Sequence, residues 1–141
     1  MFVALSIWRD QAENSAFMRA AAELSRKMPE RRWKWGGARF YVMLLVGDSW
    51  DDQEALISSL ATEFREELAS LVAVGARVEF EVATGDPIHG PYTLRMPVSP
   101  STISALGAAG VGLNTAVVGV HKPMRTERIA GHRRWRGNGV R

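Results

Sequence analysis

Arg31, Arg32, Trp33, Lys34 and Trp35 stand in a row, cations interleaved with indoles. Arginine and lysine neutralise phosphates, and indole faces stack on unpaired bases. The same chemistry recurs near the C-terminus in Arg133, Arg134, Trp135 and Arg136. The two segments together fit a surface for single-stranded nucleic acid. Tryptophan and arginine are also the residues that anchor protein interfaces. In that reading Trp33, Trp35 and Trp50 bind a protein partner, together with the acidic helix face of Glu63, Glu66 and Glu67. A purely structural use fits as well: Trp33 and Trp35 alternate, so as part of a strand both cover one face of a sheet while Arg32 and Lys34 meet water.

A second group is acidic. Asp48, Asp51, Asp52 and Glu54 follow an apolar run, and ligands of sheet proteins gather at the C-terminal ends of strands. Several carboxylates suit a hard cation, which makes a small metal-dependent enzyme at the 48–54 corner a third reading. Asp51 with Glu54 three residues later also has the form of a capping box, which needs no metal. His89, His121 and His132 are far apart and lack zinc-ligand spacing. GxSxG, P-loop and GxGxxG patterns are absent, and the Gly107–Gly112 stretch lacks the lysine of a phosphate loop. No catalytic residue, metal ligand or cofactor is assigned.

These residues need a scaffold. Residues 2–8 alternate as a strand with Val3, Leu5 and Ile7 on one face. Residues 12–28 carry a helical stripe of Phe17, Ala20, Ala21, Leu24 and Met28, stopped by Pro29. Residues 30–38 read as a polar, aromatic loop. Residues 39–46 are almost continuously apolar, which predicts a central strand covered on both faces. A single helix is expected from Asp51 to about Val72, with Ile57, Leu60, Phe64, Leu68 and Leu71 inward and Gly75 closing it. Residues 76–82 alternate strictly, predicting a strand near an edge. A Pro- and Gly-rich loop over 84–98 leads to a short helix from Ser99 to about Leu106 and a last strand over 111–120. The expected fold is α+β, or small α/β. It has a four-stranded mixed sheet and three helices in the order strand–helix–strand–helix–strand–loop–helix–strand.

The composition agrees with one domain over 1–120 and a basic tail over 121–141. The chain has 141 residues, 46% hydrophobic and 23% charged, and no cysteine. That excludes disulfide scaffolds, thiol catalysis and cysteine-bound metals. The net charge of +3 hides a division. Residues 121–141 hold seven Lys/Arg against the single acid Glu127, while residues 1–120 hold more acids than bases. No apolar run approaches the ~20 residues that cross a bilayer, and MFVALSIWRD lacks the form of a signal peptide. The expected compartment is the cytoplasm.

Three features carry a resemblance. The apolar strand 40–46 is followed by Trp50 and DDQEALISSL. The alternating VEFEV is followed by a loop with proline. The ending is VSPSTISALGAAGVGLNTAVVGV. Over about residues 39–120 this layout resembles a bacterial family called domain of unknown function 4279. The family has no established reaction, and some of its members look like immunity proteins encoded beside toxins. The resemblance therefore implies a protein partner, and it transfers no functional residue. A non-catalytic interaction protein is the first expectation, and single-stranded nucleic-acid binding is the second.

Overall fold

A computed structural model describes residues 2–9, 15–46, 49–84 and 96–117. Five strands and four helices follow one another along them: β1 (Phe2–Trp8), α1 (Ser15–Lys27), β2 (Trp33–Gly36), β3 (Arg39–Val46), α2 (Trp50–Glu63), α3 (Arg65–Ala73), β4 (Arg77–Thr84), α4 (Pro100–Ala109) and β5 (Gly112–Val117). They form one mixed sheet in the order β2-β3-β1-β4-β5. The first four strands pair antiparallel throughout, and β5 joins β4 in parallel. The segment from β1 to β4, with α2 and α3 as one interrupted helix, thus has split βαβ connectivity, the ferredoxin-like arrangement. The α4–β5 unit widens it by one strand.

Alternation decides which side of the sheet is dry. Leu5 lies opposite Val42 and Phe80, and Ile7 opposite Phe40 and Val78. These residues join Phe17 and Leu24 of α1, Ile57 and Leu60 of α2, Leu68 and Leu71 of α3 and Leu106 of α4 in one buried cluster. The helices therefore cover one face, and the other face carries none of them.

Several expectations change. The stretch 30–38 is not all loop, because Trp33–Gly36 pairs with β3 through a tight turn. Gly37 sits at the first turn position with φ 62°, where a type II′ turn needs glycine. The alternation of Trp33 and Trp35 is that of this strand, whose four residues are too short a run to outweigh the polar residues and glycines around them. The strand buried on both sides is β1, whose Ala4 and Ser6 are fully buried on the helix-free face. β3 instead exposes Met43 there. β4 stands near an edge as expected, one strand in, between β1 and the edge strand β5. Its alternation reports one open face, which is a different property from an open edge.

The expected long helix is interrupted at Phe64, φ −103° and ψ 25°. Its inward positions keep their spacing through the break, which is why periodicity could not show it. Ser49, not Asp51, is the N-cap: its hydroxyl accepts from the Asp52 N–H at 3.4 Å, and Asp51 falls in the first turn. Gly75 closes α3 with φ 89°, as expected of it. The tail 121–141 lies outside the described residues.

Candidate functional site

β2 is an edge strand, and the first turns of α1 pass beside it. Trp33 and Trp35 project to the helix side, opposite Val42 and Phe40. Phe40 is held between the two indoles, each stacked on it at 4.6 Å between ring centroids. Phe17 meets the edge of Trp35 at 6.3 Å. The outer side of Trp35 lies beneath the guanidinium of Arg9, 5.2 Å from the ring centroid. Arg9 is placed there by its backbone, since its N–H donates to the Ala38 carbonyl at 3.2 Å, and its side chain reaches the sulfur of Met18. Even so packed, Trp35 remains 46% exposed and Met18 44%. The result is a rigid aromatic–thioether corner rimmed by cations.

The other members of the basic row divide. Arg31 spends Nη1 on the Leu44 carbonyl at 2.9 Å, tying the chain before β2 to β3. Arg32 and Lys34 are exposed and unpaired among the described residues. Arg133, Arg134, Trp135 and Arg136 lie outside the described residues.

Trp50 is not part of this corner. It opens α2, and its indole N–H donates to the Pro97 carbonyl at 2.7 Å. Nor do the three glutamates form one face. Glu67 pairs with Lys27 of α1 and keeps a side-chain exposure of only 12%. Glu63 lines the groove between α2 and α4, while Glu66 lines the one between α1 and α3. The Lys27 ammonium holds the Glu67 carboxyl below its ordinary range, and Glu67 in turn raises the Lys27 ammonium.

Between α2 and the start of α4 runs an open groove of about 710 Å³, lined by Asp51, Glu54 and Glu63 with hydroxyls of Ser58, Ser59, Thr62 and Ser101. Glu54 does not cap its own helix. Its carboxylate accepts the Ser99 N–H, and that bond to the first turn of α4 holds its pKa below the usual 4.5. Asp51 and Asp52 point to solvent, and Asp48 lies outside the described residues, as do His89, His121 and His132. Among the described residues no three His, Asp or Glu side chains come together as metal ligands.

A cluster on the helix-free face escaped the reading of the sequence. Arg39 of β3 donates from Nε to the Ser6 hydroxyl at 2.8 Å and pairs through Nη2 with Glu81 of β4. Ser6 completes the triangle by donating to Glu81 at 2.6 Å. The Arg39 guanidinium covers Trp8 at 5.5 Å and Tyr41 at 4.3 Å, and Arg77 covers Trp8 at 5.2 Å while pairing with Glu79 at 3.1 Å. The available signal was the polar Ser6 inside an apolar strand, opposite Tyr41 and Glu79.

Comparison with protein-family models, with curated proteins and with solved structures finds no match. Among the described residues no helix is long and apolar enough to cross a membrane.

Proposed function

We propose that this chain is a non-catalytic interaction protein of the cytoplasm that docks a protein partner at the corner between β2 and α1. One observation carries the reading: Trp35 is fixed by Phe40, Phe17 and Arg9 yet stays nearly half exposed, beside an equally exposed Met18. A large aromatic side chain already held in one geometry loses little freedom on binding, and Trp, Met and Arg are the types enriched at interface centres. The resemblance of residues 39–120 to domain of unknown function 4279 supports the same class, and with it an immunity-type or regulatory role. Trp33 belongs to the anchor as its inner support. Trp50, Glu63 and Glu66 lie in other neighbourhoods and are assigned no share in it.

The test is capture of a partner by the full chain, identification of that partner and titration with variants. Trp35→Ala should weaken the complex at least ~30-fold, the loss of a hot spot worth about 2 kcal/mol. Trp50→Phe should leave it unchanged. Equal affinity for Trp35→Ala and the parent chain would overturn the assignment.

Single-stranded nucleic acid is the second reading, favoured by the unpaired Arg32 and Lys34 beside Trp35. It stands below the first because the other described cations near the sheet are engaged. Arg31 holds a carbonyl, Arg39 holds Glu81 and Arg77 holds Glu79. Binding to an oligonucleotide that weakens steeply with salt would reverse the order.

A further inference from the structure

The corner at Trp35 adjoins the β2 edge of the sheet, which no other described strand covers, and the two share residues. β2 and β3 are joined by the two-residue turn Gly37–Ala38, so Gly36 and Arg39 are the pair that closes the hairpin. In such a hairpin the closing pair exchanges backbone hydrogen bonds, and alternate pairs along the ladder do the same. Lys34 opposite Tyr41 is then the next bonded pair. Trp33 and Trp35 occupy the pairs in between, whose N–H and C=O groups turn outward. The residues that carry the exposed aromatic surface thus also carry the outward backbone groups of the edge, which have no partner among the described residues.

We infer that the outer edge of β2 accepts an extended strand of a partner protein, alternating apolar and acidic residues, by strand addition. The inference rests on the docking reading above and names the chemistry of the partner. Residues of the added strand opposite Trp33 and Trp35 share their side of the sheet, where an apolar side chain extends the Trp33–Phe40–Trp35 stack. The residue opposite Lys34 points to the helix-free side, where that ammonium has no partner among the described residues. Arg32 lies two residues before Lys34 and asks for a second acid on the same side. Arg9, over Trp35, adds a third cation at the rim. Among the described residues Glu30 is an acid near this edge, and it already faces Arg31 at 3.9 Å. Opposite charges across a ladder stabilise it and like charges directly opposed destabilise it.

The same charges argue against a second copy of this chain as the occupant. Edge-to-edge pairing of two β2 strands would set Arg32 and Lys34 of one copy against those of the other. Lysine on an edge is a known guard against such pairing. Here it also selects, because the strand it repels is basic and the strand it admits is acidic. Main-chain bonds supply affinity in this mode, and alternate side chains supply specificity.

The experiment uses the full chain and a blocked seven-residue peptide alternating valine and glutamate, with its valine–lysine counterpart and an oligothymidylate as controls. Amide exchange is read by NMR at Trp33 and Trp35. The valine–glutamate peptide should slow exchange at both amides at least tenfold, and the other two probes should not. Lys34→Glu, a change at an exposed side chain, should reverse the preference between the two peptides.

Equal slowing by both peptides, or none at Trp33 and Trp35, overturns strand addition. So does slowing by the oligothymidylate alone, which assigns the edge to nucleic acid. If the peptide fails while Trp35→Ala still weakens the captured partner, strand addition falls and the docking reading stands. If neither responds, both fall.

Discussion

Trp8 and Trp35 both lie under arginine, Trp8 beneath Arg39 and Arg77 on the helix-free face and Trp35 beneath Arg9 at the sheet edge. The guanidinium groups are completed differently. Around Trp8 each cation meets an acid of β4, Glu81 or Glu79, and Ser6 closes the triangle at the centre of the sheet. Around Trp35 no acid among the described residues answers. Among the described residues the Arg9 guanidinium reaches the Met18 sulfur, and Lys34 and Arg32 have no ionic partner. A cation–aromatic stack whose charge is returned by the protein's own carboxylates is part of the fold. One with no counter-charge among the described residues, at an exposed edge, is available to something else.

Phe17→Ala should erase the comparison, because Phe17 is buried in the common core and also walls Trp35. Its loss should cost about 3–5 kcal/mol in urea unfolding, as for a buried phenylalanine elsewhere. Trp35 fluorescence should shift toward that of a solvated indole. An undisturbed emission spectrum would show that Phe17 does not fix that ring.

Arg39→Ala sharpens it. The variant leaves the part-buried Glu81 without its cation and Ser6 with one partner fewer, at a cost of about 1–3 kcal/mol. Arg9→Ala, at a site where no described acid would be stranded, should stay within about 0.5 kcal/mol of the parent. Equal costs would mean that the two stacks are the same device. A double-mutant cycle of Arg39→Ala with Glu81→Gln should show coupling, since the two share one hydrogen-bonded triangle.

The smallest effect expected is the pH response of the ties between helices. Glu54 and Glu67 have folded pKa values below their ordinary ones, held down by the Ser99 N–H and by Lys27. Their contribution is complete above the ordinary carboxyl pKa and is lost as pH falls through the lower folded values. Lys27 has the opposite sign. Its contribution is present below about 10.5 and disappears as pH rises through its raised folded value. Glu54→Gln with Glu67→Gln should flatten the fall in melting temperature below about pH 4.5. An unchanged acid limb would place the acid-sensitive groups elsewhere.

Much of the scaffold was legible because it rests on periodic burial. Val3, Leu5 and Ile7, the α1 stripe through Leu24, and Val78, Phe80 and Val82 all fall where alternation or helical spacing puts them. What stayed hidden depends on pairing. Whether Trp33 and Trp35 belong to a loop or a strand is decided by Phe40, a partner that four residues of sequence cannot name. Glu54 looks like a local cap and proves to be a tie to Ser99, 45 positions away. Arg39, Ser6 and Glu81 come from three strands and meet only through the register of the sheet. The basic row was visible as chemistry, but its division into a bound Arg31 and an Arg32 and Lys34 without a partner among the described residues was not.

The most direct test of the account is one titration of the valine–glutamate peptide against two variants of the full chain, Trp35→Ala and Arg39→Ala, each at matched folded concentration. The account predicts at least tenfold weaker binding for Trp35→Ala and unchanged binding for Arg39→Ala. Equal weakening in both, or weakening in Arg39→Ala alone, would contradict it and move recognition to the helix-free face.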